Sequence, residues 1–343
     1  MPLIKTIYLA VRMITIKDIA RLSGTSPTAV SFVLNNKDQG KVDPKKKQHI
    51  LDIINEHDYR RNRVAQSLKL RKTFNISICI QGSLGQYPII GHYSHYELLS
   101  QIAQRCHRAG YSNDLLQIDT NKHVAQIALN MKHNHADGVI FLNWAAEAMR
   151  PLLDSLEQRL VPAVSAGTSL PDNPMWVIYD RATSFANGVL YLLDQGLKKI
   201  CVLDTLFGSI HAESKAIVYR TAMQKRGFSP YPLFSITNMT VKSVMTALKE
   251  LLQTVPDVEG IILTDNAFAP FVVNFLEGKP IRILGFGDAG YAQMCDPRLS
   301  YMRFPIEAVA ESAVNMLLNR LNPVEPERFC RQRHQCELIL QDT

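Results

Sequence analysis

From Asn75 onward, short apolar runs alternate with amphipathic stretches of helical period, and this alternation constrains the fold more than any other feature. The runs are NISICI (75–80), DGVIFL (137–142), VPAVS (161–165), KKICVLD (198–204), EGIILT (259–264) and IRILGF (281–286). Helical spacing of apolar residues marks 96–109, 182–195, 212–226, 241–253 and 306–321. Strands buried on both faces read as continuous apolar runs, and a helix between successive runs is the connection that parallel strands require. A parallel, doubly wound α/β arrangement follows. The units are too many for one sheet, so two lobes are expected.

The first fifth of the chain does not share that pattern. Residues 1–75 carry 15 Lys and Arg against 6 Asp and Glu, a net of +9, whereas the rest of the 343 residues nets −2. A basic head on a nearly neutral body is the charge layout of a nucleic-acid-binding module, although a solvated basic surface gives the same numbers. Six cysteines (79, 106, 201, 295, 330, 336) have no framework spacing and no CxxC, which reads as reduced core thiols in a cytoplasmic protein. No apolar run reaches the roughly 20 residues of a membrane span. LIKTIYLAV near the start lacks a small-residue cleavage site, so no signal peptide is expected.

Within the head, TIKDIARLSGTSPTAVSFVLNN (15–36) encodes two short helices. Thr15 with Asp18 three residues on makes a variant of the capping box, and Gly24 suits the positive φ that ends a helix. Ser26 can cap the second helix and Pro27 fits its first turn, with Ala29, Val30, Val33 and Leu34 on the apolar face. Two helices joined by a tight glycine-containing turn form a helix-turn-helix. A third helix starts with Asp43 as cap and Pro44, and Ile50, Ile53 and Ile54 recur at helical spacing. Lys45, Lys46 and Lys47 crowd its first turn against the helix dipole, which either phosphate contact or solvation would relieve.

TIKDIARLSGTSPTAVSFVLN followed by INEHDYRRNRVAQSLK resembles the LacI/GalR family of bacterial transcriptional regulators across residues 14–70. The resemblance implies a multidomain protein: an all-α helix-turn-helix head and a two-lobed α/β core like a periplasmic binding protein, with parallel doubly wound sheets. It divides the chain into an N-terminal extension (1–12), the DNA-binding domain (13–61), a hinge helix and linker (62–74), and an effector-binding and dimerisation core (75–343). Lobe 1 would span about 75–179 and 305–331, and lobe 2 about 180–304 and 332–343. Crossovers are expected near Tyr179–Asp180, near Arg303–Pro305 and around 330–335.

The family's DNA-contacting positions match residue by residue. Pro27, Thr28 and Phe32 stand where bases are selected in the major groove. Ser26, Ser31, Asn35, Tyr59 and Asn62 stand where the backbone is held. Ala65, Leu68 and Lys69 fall on a hinge helix whose leucine wedges between base pairs in the minor groove, the small alanine letting two hinges approach. Many members carry Arg at the position of Phe32, so a different operator is implied here, with apolar contact such as to a thymine methyl.

Effector residues are expected in loops after strand C-termini, between the lobes. Those positions hold Gln81, Ser83, Asn143, Trp144, Ser165, Asp180, Lys215, Asp265, Asn266 and Asp288. Trp144 either stacks on a ligand or packs in an interface. Family signatures for sugars are altered: Lys215 replaces the usual Arg, the usual Asn-Asp pair is inverted at Asp265–Asn266, and Gly287–Asp288 replaces an acidic pair. Either the pocket takes a different ligand or its effector role is weak.

The expected function is a dimeric, or larger, DNA-binding regulator, more a repressor than an activator, controlled allosterically by a small molecule, a sugar or related metabolite, bound between the two core lobes. Its partners would be double-stranded operator DNA, an effector and a second copy, with no membrane, cofactor or metal. A solute-binding protein of a transport system is the alternative, because it shares the two-lobed fold. GFGDAG (285–290) matches a dinucleotide-binding pattern, but Pro297 leaves little room for the helix that would hold a pyrophosphate. His92, His95 and Glu97, like His133 and His135, lack a second cluster to complete a zinc site. No nucleophile elbow, P-loop or catalytic carboxylate pair occurs, so no enzyme is expected.

Overall fold

The computed structural model describes residues 14–34, 38–59, 67, 70, 72–81, 93–118, 136–142, 146–170, 173–205, 212–238, 240–287, 289–322 and 330–343. The chain divides into two compact units, Met1–Thr73 and Phe74–Thr343.

In the first unit, α1 (Ile16–Leu22), α2 (Pro27–Leu34) and α3 (Pro44–Glu56) surround a small core of Ile19, Ala20, Val30, Val33, Ile50 and Ile53. The starts of the helices follow the sequence. Thr15 Oγ1 accepts from the Asp18 N–H at 3.3 Å while the Thr15 N–H donates to Asp18 Oδ2 at 2.9 Å, a complete capping box. Ser26 Oγ accepts from the Ala29 N–H at 3.1 Å. Asp43 accepts from the N–H groups of Lys45 and Lys46 and places a carboxylate at the positive end of α3. Gly24 turns the chain between α1 and α2 with φ of 60°, a conformation closed to most side chains.

The second unit contains two six-stranded sheets. The first is ordered β11-β5-β4-β3-β1-β2 and the second β12-β10-β9-β8-β6-β7. In the first sheet β1 is Asn75–Gln81, β2 Ser112–Ile118, β3 Gly138–Leu142, β4 Ala163–Ala166, β5 Trp176–Tyr179 and β11 Gln332–His334. In the second β6 is Ile200–Thr205, β7 Leu233–Ile236, β8 Gly260–Leu263, β9 Arg282–Gly287, β10 Ser300–Arg303 and β12 Glu337–Ile339. All neighbours run parallel except β10 and β12, which are antiparallel. Strands β3, β6 and β8 are buried along their whole length, as strands covered on both faces must be.

The helices are α4 (Tyr93–Arg108), α5 (Ala146–Gln158), α6 (Arg181–Asp194), α7 (Ala212–Lys225), α8 (Val241–Thr254), α9 (Ala269–Phe275), α10 (Ala289–Gln293) and α11 (Ile306–Leu321). Helix α11 follows a strand of the second sheet yet packs on β3, β4 and β5 of the first. Its Val309, Ala310, Ala313, Val314 and Leu317 join the core formed with Ile76, Ile102 and Val177.

The chain therefore crosses between lobes three times: after Tyr179, after Arg303, and between His334 and Glu337. The boundary expected after residue 331 falls three residues later, because Gln332–His334 pair with Val177–Tyr179 in the first sheet before the chain leaves. Five of the six cysteines are buried, but Cys330 is exposed, which corrects the reading of all six as core thiols. No helix among the described residues is long and apolar enough to cross a membrane.

Candidate nucleic-acid interface and ligand cleft

Helix α2 presents its first turn outward. Pro27, Thr28 and Ser26 are exposed, while Val30 and Val33 hold the opposite face in the core. Phe32 is half-buried beside the Lys41 ammonium, 4.8 Å from the ring centroid, so a cation sits against the apolar group expected to read a base. Ser31 is half-buried on the same helix, and Tyr59 packs on the core of the head. Asn35, Asn62, Ala65, Leu68 and Lys69 lie outside the described residues.

The three lysines of α3 divide. Lys47 forms an ion pair with Asp38 at 2.7 Å, and this bond holds the Asp38 carboxyl below its ordinary range. Lys45 and Lys46 remain exposed, as do Lys17 and Lys41, and they give the head a positive surface.

In the core, Gln81, Ser165, Asp180 and Asp265 lie at or just beyond the C-terminal ends of parallel strands. Gln81 ends β1. Ser83, Asn143, Trp144 and Asp288 lie outside the described residues, as does the side chain of Gln81. Ser165 in β4 is fully buried and its hydroxyl donates to the Thr168 carbonyl at 2.8 Å. Asp180 caps α6 through the Thr183 N–H at 3.3 Å, and its own N–H donates to the His334 carbonyl, extending the pairing of β5 with β11. Asp265 caps the 3-10 turn Asn266–Phe268 through the Ala267 N–H at 2.9 Å. These three have local structural partners.

Lys215 in α7 is bonded to Asp204, the penultimate residue of β6. The Asp204 side chain is only 2% exposed, and its Oδ1 also accepts from the Thr264 hydroxyl at 2.8 Å. Thr264 Oγ1 in turn accepts from the Thr205 N–H at 3.0 Å. The ammonium at the usual arginine position is thus neutralised inside lobe 2. Asn266 is fully buried and packs so closely on β9 that a Cβ at Gly285 would lie 2.1 Å from its Oδ1.

An aromatic series joins the lobes. Phe185 meets Phe286 edge to face at 6.0 Å, Phe286 meets Phe304 at 5.7 Å, and Phe304 stacks on Tyr179 at 4.9 Å. The Arg181 guanidinium covers the Tyr179 and Phe304 rings at 5.4 and 5.3 Å. Neither Arg181 nor Asp204 was among the expected site residues. Asp204 closes the apolar run KKICVLD, a place where a charge needs a partner. Arg181 directly follows the predicted first crossover.

Comparison with known proteins agrees with this geometry. Residues 15–62 match the model for bacterial regulatory proteins of the lacI family, and residues 189–342 match a periplasmic binding protein-like domain. The HTH-type transcriptional regulator RegA of Clostridium saccharobutylicum is 27% identical over 326 residues, covering 91% of this chain and 93% of that protein. The ribose operon repressor of Escherichia coli K12 is 26% identical, covering 90% and 93%. Among solved structures, the lac repressor dimer bound to operator and the anti-inducer ONPF superposes with a TM-score of 0.73 at 17% identity, covering 96% of this chain and 98% of that one. A CelR–cellobiose complex gives 0.66 at 19%, covering 96% and 99%. The head matches one family model, the core has the matching two-lobed architecture, and the relatives align along about nine-tenths of both chains. The chain thus carries a lacI-family regulatory domain at residues 15–62 and a periplasmic binding protein-like domain at residues 189–342.

Proposed function

We propose that this protein is a dimeric, sequence-specific DNA-binding transcriptional repressor, controlled by a small molecule bound between the two lobes of its core. One observation carries this reading: a helix-turn-helix head and a two-lobed core with three crossovers occur in one chain, aligned nearly end to end with regulators and operon repressors. That combination favours a regulator over a solute-binding protein, which has no use for a basic head, and over an enzyme. The cytoplasm is the proposed location because operator DNA lies there.

In this mechanism α2 enters the major groove. Pro27, Thr28 and Phe32 contact base edges, while Ser26, Ser31, Asn35, Tyr59 and Asn62 fix the register on phosphates. Ala65, Leu68 and Lys69 form the minor-groove hinge, with Leu68 as the wedge. Two hinges act together only if two copies pair. Phe271 and Phe275 on α9 and Met294 just beyond α10 are exposed large apolar groups that a symmetric second copy would cover. A ligand held by both lobes shifts their relative orientation and so the spacing of the paired hinges.

Leu68→Ala tests the wedge in an operator-binding titration with a bend-angle measurement. Specific affinity and bend should both fall while nonspecific binding stays near the parent value. Unchanged operator affinity and bend would exclude the wedge role.

A further inference from the structure

The polar groups that the described part of the cleft brings together are largely occupied by the protein itself. Ser165 bonds to a backbone carbonyl, Asp180 and Asp265 cap helical turns, and Lys215 is held by Asp204. Arg181 differs. Its Nε is shielded from solvent and has no hydrogen-bond partner. No carboxylate lies within ion-pair distance of its guanidinium among the described residues.

The guanidinium is also fixed in place. It lies over both rings of the Tyr179–Phe304 stack. Tyr179 ends β5 of the first sheet, and Phe304 follows the end of β10 of the second. Arg181 therefore sits where the C-terminal edges of the two sheets meet, the position at which α/β sheets bind ligands. It also opens the 14-residue helix α6, whose positive end adds to the local potential. A guanidinium presents its Nε and one terminal nitrogen side by side. That fork matches the two oxygens of a carboxylate or phosphate, and an anion supplies the acceptor that the buried Nε lacks.

We infer that the effector of this protein carries a carboxylate or phosphate group that Arg181 takes between the lobes. An uncharged polyol is a poor ligand for the same site. This rests on reading the core as the ligand-binding unit of a regulator.

The test is isothermal titration calorimetry on the full-length protein with a matched series: glucose, gluconate, glucuronate and glucose 6-phosphate, with citrate and inorganic phosphate as bare anions. At least one anion should bind more tightly than glucose, and whether a carboxylate or a phosphate does so identifies the headgroup. Arg181→Met should weaken that anion roughly tenfold to a hundredfold, the loss of a charge-assisted bidentate contact. Arg181→Lys keeps the charge but not the fork and should weaken it less, with its unfolding midpoint as the control for folding. Glucose binding as tightly as its anionic counterparts would overturn the inference. So would failure of every anion to bind, or anion affinity unchanged in both variants. Operator retention is measured separately. Its failure would refute the regulator reading while leaving anion binding by Arg181 standing.

Discussion

Lys215→Met should destabilise the core through Asp204. The Asp204 side chain is 2% exposed and that of Lys215 20%, so removing the ammonium leaves a desolvated carboxylate with the Thr264 hydroxyl still donating to it. Removing one member of a buried ion pair costs about 3–5 kcal/mol in general. Here the partial exposure of Lys215 and the surviving hydroxyl bond reduce that to about 2–3 kcal/mol. Asp204→Asn removes the charge but keeps an oxygen that can accept from Thr264. In that background Lys215→Met should cost within about 1 kcal/mol, so the two substitutions couple by roughly 1–2 kcal/mol. Urea unfolding followed by circular dichroism reads the four proteins of this cycle, with a common slope expected and only the midpoint moving. If Lys215→Met lies within about 0.5 kcal/mol of the parent, or the two substitutions are additive, Asp204 does not depend on Lys215 and the reasoning fails.

Gly285→Ala would place a methyl 2.1 Å from Asn266 Oδ1 and 2.4 Å from Leu299 Cδ2. A loss of about 2–3 kcal/mol in core stability is expected from such overpacking, and an unchanged unfolding midpoint would contradict it. Thr15→Ala removes both hydroxyl contributions to the capping box and should cost the head about 1 kcal/mol. That loss is read as an earlier melting transition, with unchanged melting the contrary result. Burial holds the thiols of Cys106, Cys295 and Cys336 up to about 11 and that of Cys201 up to about 12. Thiolate is the reactive form, so raising the pH from 7 to 9 should leave these four slow to label in the folded protein, with Cys330 modified first. Rapid labelling of more than one thiol would refute the buried placement.

The head was legible because its determinants are local. Thr15 with Asp18, Asp43 with Pro44, and Gly24 each act within a few residues, so pattern and structure coincide. The core strands were legible where burial on both faces makes a continuous apolar run, as in Ile200–Thr205. Strand β2 gave no such run, because as an edge strand it carries Asn113 and Asp114 and leaves Leu115 half exposed. Helix α5 was hidden in part by Pro151 within it.

The cleft was the least legible part, for a physical reason. Position after a strand identifies which residues reach the cleft, but not which are taken by internal partners. Asp204 meets Thr264 across 60 residues of sequence, and the Tyr179–Phe304 stack under Arg181 spans more than a hundred. Those pairings follow from strand order and register rather than from any local motif. Position after a strand therefore points to Ser165, Asp180 and Asp265 although each has a structural partner, and gives no sign of Arg181.

The central claim is that a sequence-reading head and a ligand-binding core act as one paired regulator. The most direct measurement is sequencing of the fragments of its own genome that the purified full-length protein retains at near-physiological salt. The account predicts one shared two-fold-symmetric site with a flexible central step, retained less as salt rises because phosphate contacts release counterions. Retention of fragments without a common sequence, at any salt concentration, would contradict it.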